Sequence, residues 1–362
     1  MPRSLLSAFL SVTAVVGLAC TPEDPEEMPD FEWQGTWITI WGFDTLPEDT
    51  CAGTFTYLDD YAGVLASEYK ITEPLGIYRW YSDAEFLDAD PCRHESNGCA
   101  GLNGIFARVM PLEHELVHSA NIMTTVCPAL LAEGLAEYYG TNSETPATRD
   151  LSGVLEDPGV LPFPAKDYPI AGAFAAFLIE EYGLDRVLEV CERAGVNPTA
   201  AEFSDAITAA LSVSLETLAS SFESFDCSYQ QYRSKVYECN QAPSIVAGVE
   251  PVESTFNLDC SDQLSIGPRD DEIWTLATAE AMQSGTYLVA LKDESGTVVE
   301  DIVGLEIIQC DTKCADYPRV HSFKPGMGPV IAPVQLDAGT HAIRIWGEPD
   351  ISAILTLELS LL

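Results

Sequence analysis

Apolar and polar positions along this chain change their rhythm twice. Between residues 31 and 110, short alternating runs are interleaved with one helical stretch. "TWITIW" (36–41) alternates in β-branched and aromatic residues and predicts a strand. In "YLDDYAGVLASEYKI" (57–71), Tyr57, Leu58, Tyr61, Val64, Leu65 and Tyr69 recur at helical spacing. "LGIYRWY" (75–81) and "GIFARVM" (104–110) predict further strands, and the polar, Cys-bearing stretch 88–101 between them reads as a disulfide-pinned loop. From 111 to 240 the pattern is mainly helical. Pro111 suits the first position of a helix, with Glu113 a favourable charge in its first turn. Pro128 opens a second helix through Tyr139 that Gly140 can end. Residues 168–195 hold two helices broken near Gly183, and 203–225 hold another pair, with Ser214 and Glu216 near the start of the second. Beyond about 243 alternation takes over. "EIWTLATA", "GTYLVALKD", "GTVVEDIVGLEIIQC" and "GTHAIRIWG", with Gly, Asp and Pro between them, predict an antiparallel β-sandwich. The expected fold class is α+β: a helix-and-sheet domain over 31–240, then the sandwich over 245–362.

The N-terminus changes the picture from a plain globular chain to an exported one. Arg3 precedes an apolar run, Leu5 to Ala19, that is too short to span a bilayer and reads as a signal peptide over 1–20. Its end, Gly17-Leu18-Ala19-Cys20, resembles a bacterial lipoprotein box, although the position three before the Cys is usually Leu. That resemblance implies a lipid on Cys20 and attachment to the cell envelope, with a plain secretory signal as the alternative. The Pro-rich acidic stretch 21–30 reads as a solvated tether. Setting Cys20 aside, ten of the eleven cysteines remain, an even number that suits disulfides in an oxidising compartment. Nearest pairs are the simplest expectation: Cys92 with Cys99, Cys227 with Cys239, Cys310 with Cys314, leaving Cys51, Cys127, Cys191 and Cys260.

Charge excludes one class of partner. There are 17 Lys+Arg against 57 Asp+Glu, a formal net charge of -40. Such a surface repels phosphate backbones, so no nucleic-acid partner is expected. No EF-hand spacing appears among the carboxylates.

The chemistry gathers in "EHELVHSANIMTTVCPALLAEGLAEYYG" (113–140). His114 and His118 are four apart, so on a helix both imidazoles project from one face and can bind one Zn²⁺. Glu115, on the adjacent side, is placed to take a proton from a water at the metal's open position. A catalytic zinc site needs a third protein ligand. Glu133, on the next predicted helix, supplies one if the loop 119–127 folds that helix back, with Gly134 permitting close packing. Glu137, one turn further on, can accept a hydrogen bond from a ligand histidine and fix its tautomer. His94, His321 and His341 have no ligand spacing and are expected to be surface or structural.

H-E-L-V-H followed by A-E-G-L-A-E-Y resembles the gluzincin metallopeptidases, the class of thermolysin and the aminopeptidase N family. In the latter an N-E-G-F-A type stretch carries the third zinc ligand, and Glu133 matches it. "YPIAGAFAAFLIEEYG" (168–183) is similar to the helix that follows in bacterial peptidases of this group. The resemblance covers roughly 35–225 and implies a zincin-like domain, a small mixed sheet plus helices, hydrolysing peptide bonds with Zn²⁺. It also implies a tyrosine at the oxyanion; Tyr168 is the candidate, with Tyr138 and Tyr139 competing. The family's upstream G-x-M-E-N stretch is missing, with only "GLNGIF" (101–106) in its place, so endo- and exopeptidase action both stay open. The His118-to-Glu133 spacing is shorter than in the aminopeptidases. "AGTHAIRIWG" loosely resembles β-sandwich accessory domains appended to secreted peptidases. The alternative reading is a non-catalytic surface lipoprotein that binds a partner or glycan through its sandwich.

Overall fold

The computed structural model describes residues 28–46, 50–92, 96–140, 148–225, 237–269, 271–300, 302–310 and 320–362. Cys20, the signal segment, most of the tether, His94, Cys227 and Cys314 lie outside them. Among the described residues the architecture is α+β. No helix there is long and apolar enough to cross a membrane.

The first half builds a mixed sheet from β1 (Phe31–Gln34), β2 (Ile38–Gly42), β3 (Gly76–Trp80), β4 (Gly98–Gly101) and β5 (Gly104–Ala107). Their order is β1-β2-β3-β5-β4; β2, β3 and β5 are parallel, and the two edge strands run antiparallel to them. The α1 helix (Thr54–Tyr69) links β2 to β3 and buries Tyr57, Leu58, Tyr61, Leu65 and Tyr69 of the predicted stripe, with Val64 half-buried. From α1 the Asp59 carboxylate accepts the backbone N–H groups of Thr36, Trp37 and Ile38 at 2.7–2.9 Å, which ties the β1–β2 turn to the helix. The stretch 88–101 is not merely a loop. It ends α2 (Asp83–Ala89), whose N-cap Ser82 accepts from Glu85 N, and it contains β4. Period-2 alternation is invisible in a four-residue, Gly-rich edge strand, which explains the miss.

The helical part runs α3 (Glu113–Thr124), α4 (Ala129–Gly140), α5 (Ser152–Leu155), α6 (Tyr168–Tyr182), α7 (Leu184–Ala194), α8 (Ala200–Leu211) and α9 (Leu215–Glu223). Pro111 does not open α3, which begins at Glu113. The α6 helix is apolar around its whole circumference and is buried from Ile170 to Leu178, so it forms the centre of the helical core. Gly183, at φ +82°, breaks α6 from α7 as the sequence implied. Thr199 and Glu202 form a reciprocal capping box at the start of α8, and Ser214 caps α9.

The C-terminal half places two sheets around one core, a β-sandwich-like arrangement. One sheet has the order β13 (Ile331–Leu336), β10 (Gly285–Asp293), β15 (Ser352–Leu361), β7 (Val252–Asp259). The other has β12 (Val320–Phe323), β11 (Val303–Gln309), β14 (Gly339–Gly347), β9 (Glu272–Ala281), β6 (Ile245–Ala247), with β8 (Ile266–Arg269) also on β9. Leu258, Tyr287, Val289 and Leu357 from the first meet Ile273, Leu305, Ile343 and Ile345 from the second. The sandwich is not wholly antiparallel, because β6 joins β9 in parallel.

The disulfides correct the nearest-neighbour expectation. Cys92–Cys99 is present, but Cys239 pairs with Cys310, and Cys51–Cys260 and Cys127–Cys191 are the others among the described residues. Three of these four join elements far apart in sequence. Disulfides form where the fold brings Cα atoms within about 4–7 Å, not where the chain spaces them closely. Cys51–Cys260 staples the start of α1 to the sandwich.

Candidate metal centre

The site is assembled from two consecutive helices. Their connection is shorter than expected, since α3 continues to Thr124 and α4 starts at Ala129. Cys127, in that connection, is bonded to Cys191 on α7, and Leu130 N donates to Pro158 O at 2.9 Å, so the start of α4 is held from two sides. On the other side, Ser119 of α3 donates its hydroxyl to Leu75 O at 2.8 Å, hooking the helix to the mouth of β3.

His114 and His118 project from one face of α3, and Glu133 meets them from α4. The Nε2 atoms of the two histidines are 3.1 Å apart, and Glu133 Oε2 lies 3.2 Å from the first and 3.3 Å from the second. Among the described residues this is the one group of three His, Cys, Asp or Glu side chains with metal-ligand spacing. A triangle with 3.2 Å sides has a circumradius of about 1.85 Å (3.2/√3), slightly less than the 2.0–2.2 Å of zinc–nitrogen and zinc–oxygen bonds. The donor set, two imidazole nitrogens and one carboxylate oxygen at this spacing, therefore fits a divalent ion of zinc's size. The side chains of His114, His118 and Glu133 keep 13%, 17% and 16% of their exposure, so one side of the triangle stays open. That matches a three-ligand site with a free position rather than a closed structural one.

The surrounding charges fit the same ion. Burial by itself lowers the basicity of His114, but hydrogen bonds to Glu133 and Glu137 and the charges of Glu115 and Glu133 outweigh it and push its pKa up to about 10. For Glu133, burial works against ionisation, and the opposing charge of His118 with the hydrogen bonds of both histidines holds the carboxyl well below its ordinary range. Glu137 Oε1 lies 3.4 Å from His114 Nδ1, where it can accept the Nδ1 proton and leave Nε2 as the ring's nitrogen toward the cluster once a cation replaces the other proton. Glu115 is 6% exposed and sits beside the edge strand: a Cβ added at Gly98 would meet Glu115 Cγ at 3.0 Å.

The Tyr168 ring centroid is 6.1 Å from that of His114 and stacks on Phe163. Burial, then the charges of Glu133, Glu115 and Glu137, raise its pKa, so the phenol keeps its proton at neutral pH. Its rivals are placed differently. Tyr138 and Tyr139 are buried; Tyr139 packs on Tyr69, and its carbonyl accepts the hydroxyl of Tyr61. His321 sits 3.0 Å through Nε2 from Gln335 O, and the buried His341 sits 3.0 Å through Nδ1 from Gly339 O, both far along the chain from the cluster.

Two expectations change. Glu113 is in the first turn of α3 as expected, but it is more than a helix-start charge: it is fully buried and bonded to Tyr57 and Arg269. Gly134 does permit close packing, but against α6: a Cβ there would lie 2.6 Å from Ala171 O. The glycine that lets α4 approach α3 is Gly140, where a Cβ would lie 2.5 Å from His114 N. Reading Gly140 only as a helix stop hid this role. Sequence reasoning also passed over Asn121, which is buried with neither amide atom hydrogen-bonded to a described protein group. Its position three residues after His118, on the same helical face, was the available signal.

No family model matches this chain, and no curated protein matches it. Solved structures give slight likenesses. A pre-peptidase C-terminal domain of collagenase from Bacillus anthracis is 10% identical, with 34% of this chain and 100% of that domain covered and a TM-score of 0.22. An isomalto-dextranase from Arthrobacter globiformis complexed with panose is 21% identical over 27% of this chain and 18% of that one, with a TM-score of 0.18. A 4-O-methyl-α-glucuronidase with specificity for decorated arabinogalactans is 9% identical over 89% of this chain and 51% of that one, also at 0.18. Scores this low bear on neither fold nor activity.

Proposed function

We propose that this chain is a zinc-dependent peptidase of gluzincin type, with a zincin-like domain carrying the site. The convergence of His114, His118 and Glu133 within 3.1–3.3 Å, with Glu115 buried next to them, supports this reading more than any other observation. His114, His118 and Glu133 would hold the zinc ion, which would supply Lewis acidity toward the scissile carbonyl and toward water. The chain's own groups do the rest. The Glu115 carboxylate takes a proton from the attacking water as its oxygen bonds to the carbonyl carbon. It then returns that proton to the departing amine as the C–N bond breaks. Tyr168, kept protonated, donates its hydroxyl to the developing oxyanion. Glu137 keeps the His114 ring oriented.

The edge strand gives the substrate a place to lie. Arg108 N donates to Asn97 O, and with the β4–β5 register this turns the backbone groups of Gly98 and Ala100 toward the open edge. An extended peptide adding to β4 by backbone hydrogen bonds runs past Glu115. The four disulfides among the described residues suit an exported protein, and Cys20 is the proposed lipid attachment to the cell envelope.

The test takes residues 21–362 through zinc reconstitution and then digestion of a mixed peptide library. The expected result is one equivalent of zinc and cleavage that Glu115→Gln abolishes while zinc stays bound. Less than a tenth of an equivalent of zinc overturns the metal site. Equal cleavage by wild type and Glu115→Gln overturns the mechanism, and zinc binding without cleavage by either leaves the non-catalytic lipoprotein.

A further inference from the structure

The C-terminal sandwich reaches the residues that lead into the first histidine of the cluster. Arg269, at the end of β8, donates from Nη2 to both Pro111 O and the buried Glu113 carboxylate. Those two acceptors bracket the start of α3, one residue before the first histidine. The other Glu113 oxygen accepts the Tyr57 hydroxyl at 2.7 Å. The Arg269 guanidinium lies 5.8 Å over the Trp274 ring, and that ring meets Tyr57 edge-on at 6.4 Å. Trp274 is a sandwich residue, yet it is buried in the helical core together with Ile266. Arg269, Trp274, Tyr57 and Glu113 thus form one closed cluster made by β8, β9, α1 and α3.

The cluster stands on a rigid base. The segment leading into β8 is bound to the start of α1 by the Cys51–Cys260 disulfide. Cys51 N donates to Gly267 O, Ala52 N to Cys260 O and Gly53 N to Ser265 O, each at 2.9 Å. Thr54 Oγ1 donates to Gly267 O and accepts from Gly267 N, both at 3.0 Å. At the same turn of α3, Gly140 of α4 lies against His114 N and Cα. The first turn of α3 is therefore held by α4 at His114 and by the sandwich at Pro111 and Glu113.

We infer that the sandwich is a working part of the metal centre, with Arg269 and Glu113 as positioning residues that set where His114 presents its ring. The inference rests on the metal-site reading above. An exposed pair would add little, but Glu113 is fully buried, so removing Arg269 takes the cationic partner from a desolvated carboxylate at the first turn of α3 and favours a shift of that turn. A shift of a few tenths of an ångström is enough to spoil ligand distances that tolerate about 0.2 Å.

The experiment compares wild type, Arg269→Ala and Arg269→Lys by Co²⁺ titration, with visible absorption reporting the ligand field, and by hydrogen–deuterium exchange of the metal-free proteins. Circular dichroism verifies that each variant is folded. Arg269→Ala is expected to bind Co²⁺ on the order of tenfold or more weakly with altered absorption, and to exchange faster in 113–118. Arg269→Lys keeps the charge but not the two-sided grip, so it should recover part of both losses. Wild-type affinity, absorption and exchange in a folded Arg269→Ala overturn the inference alone, as does loss confined to global stability. Should Arg269→Ala fail to fold, Arg269→Lys decides: wild-type Co²⁺ binding and exchange there overturn the inference, and partial loss of both upholds it. A wild type that binds no Co²⁺ overturns the metal reading, and this inference falls with it.

Discussion

Replacing Gly140 by alanine tests how tightly α3 and α4 must approach for the ligands to meet. The new Cβ would sit 2.5 Å from His114 N, 2.6 Å from His114 Cα and 2.8 Å from the Glu113 carbonyl carbon. Ordinary contacts between such atoms begin near 3.5 Å, so the helices must part by about 1 Å, and no rotamer change can relieve a clash with backbone. Gly140 closes the helix that carries Glu133, while the clash falls on the residue that carries the first imidazole. Parting the helices therefore stretches the 3.2 Å and 3.3 Å edges joining Glu133 to the histidines by several times the roughly 0.2 Å that a zinc site tolerates. Overpacking costs about 1–3 kcal/mol, offset by up to about 1 kcal/mol from the better helix propensity of alanine. The net expectation is a destabilisation of about 1–2 kcal/mol and a loss of zinc affinity on the order of tenfold to a hundredfold. Affinity is measured by competition with a chromogenic chelator and stability by thermal melting of the metal-free protein. Gly153→Ala is the control, since a Cβ there meets nothing within 4 Å. If Gly140→Ala binds zinc within about threefold of wild type and melts no lower, close approach at this glycine does not hold the site together.

Other expectations are independent of it. Glu137→Ala should weaken zinc binding by about tenfold or more while leaving the fold intact, because His114 loses the acceptor 3.4 Å from its Nδ1; unchanged affinity by the same competition assay removes Glu137 from the site. The paired change Cys127→Ala with Cys191→Ala opens a 64-residue separation, and chain entropy puts the loss at up to about 4 kcal/mol, visible as a lower denaturant midpoint; no change would mean that the start of α4 is held by packing alone. Asp259 gives a pH-dependent case. Hydrogen bonds from the Ser261 and Ser352 hydroxyls and the Ser261 N–H hold its pKa down to about 2 from an ordinary 3.8. A depressed carboxyl stabilises the fold above its unfolded pKa, and that contribution fades as pH falls through the folded one. The melting temperature of Asp259→Ala should therefore trail wild type at pH 6 and converge on it between pH 4 and 2; a gap that stays constant with pH contradicts the assignment.

Local order was open to reading from the sequence. The four-residue separation of His114 and His118 fixes a shared face because helix geometry depends on nothing outside the helix. The same holds for the stripe of α1, the break at Gly183, the Ser214 cap and the alternation of β9, β10 and β14. Glu133 was reachable because only a short turn separates its helix from α3. What the tertiary structure alone decided lies at long separation. Three of the four described disulfides join residues 64 to 209 apart, and nearest-neighbour pairing was wrong for Cys239 and Cys310. Arg269 meets Glu113 across 156 positions, so a glutamate that reads only as a favourable helix-start charge is also a buried anchor. Gly140 reads as a helix stop until the partner helix is present to show what its missing Cβ would strike. The physical reason is common to all three. Periodicity and capping are written in neighbouring residues, whereas burial, close approach and pairing exist only once distant segments share the same space.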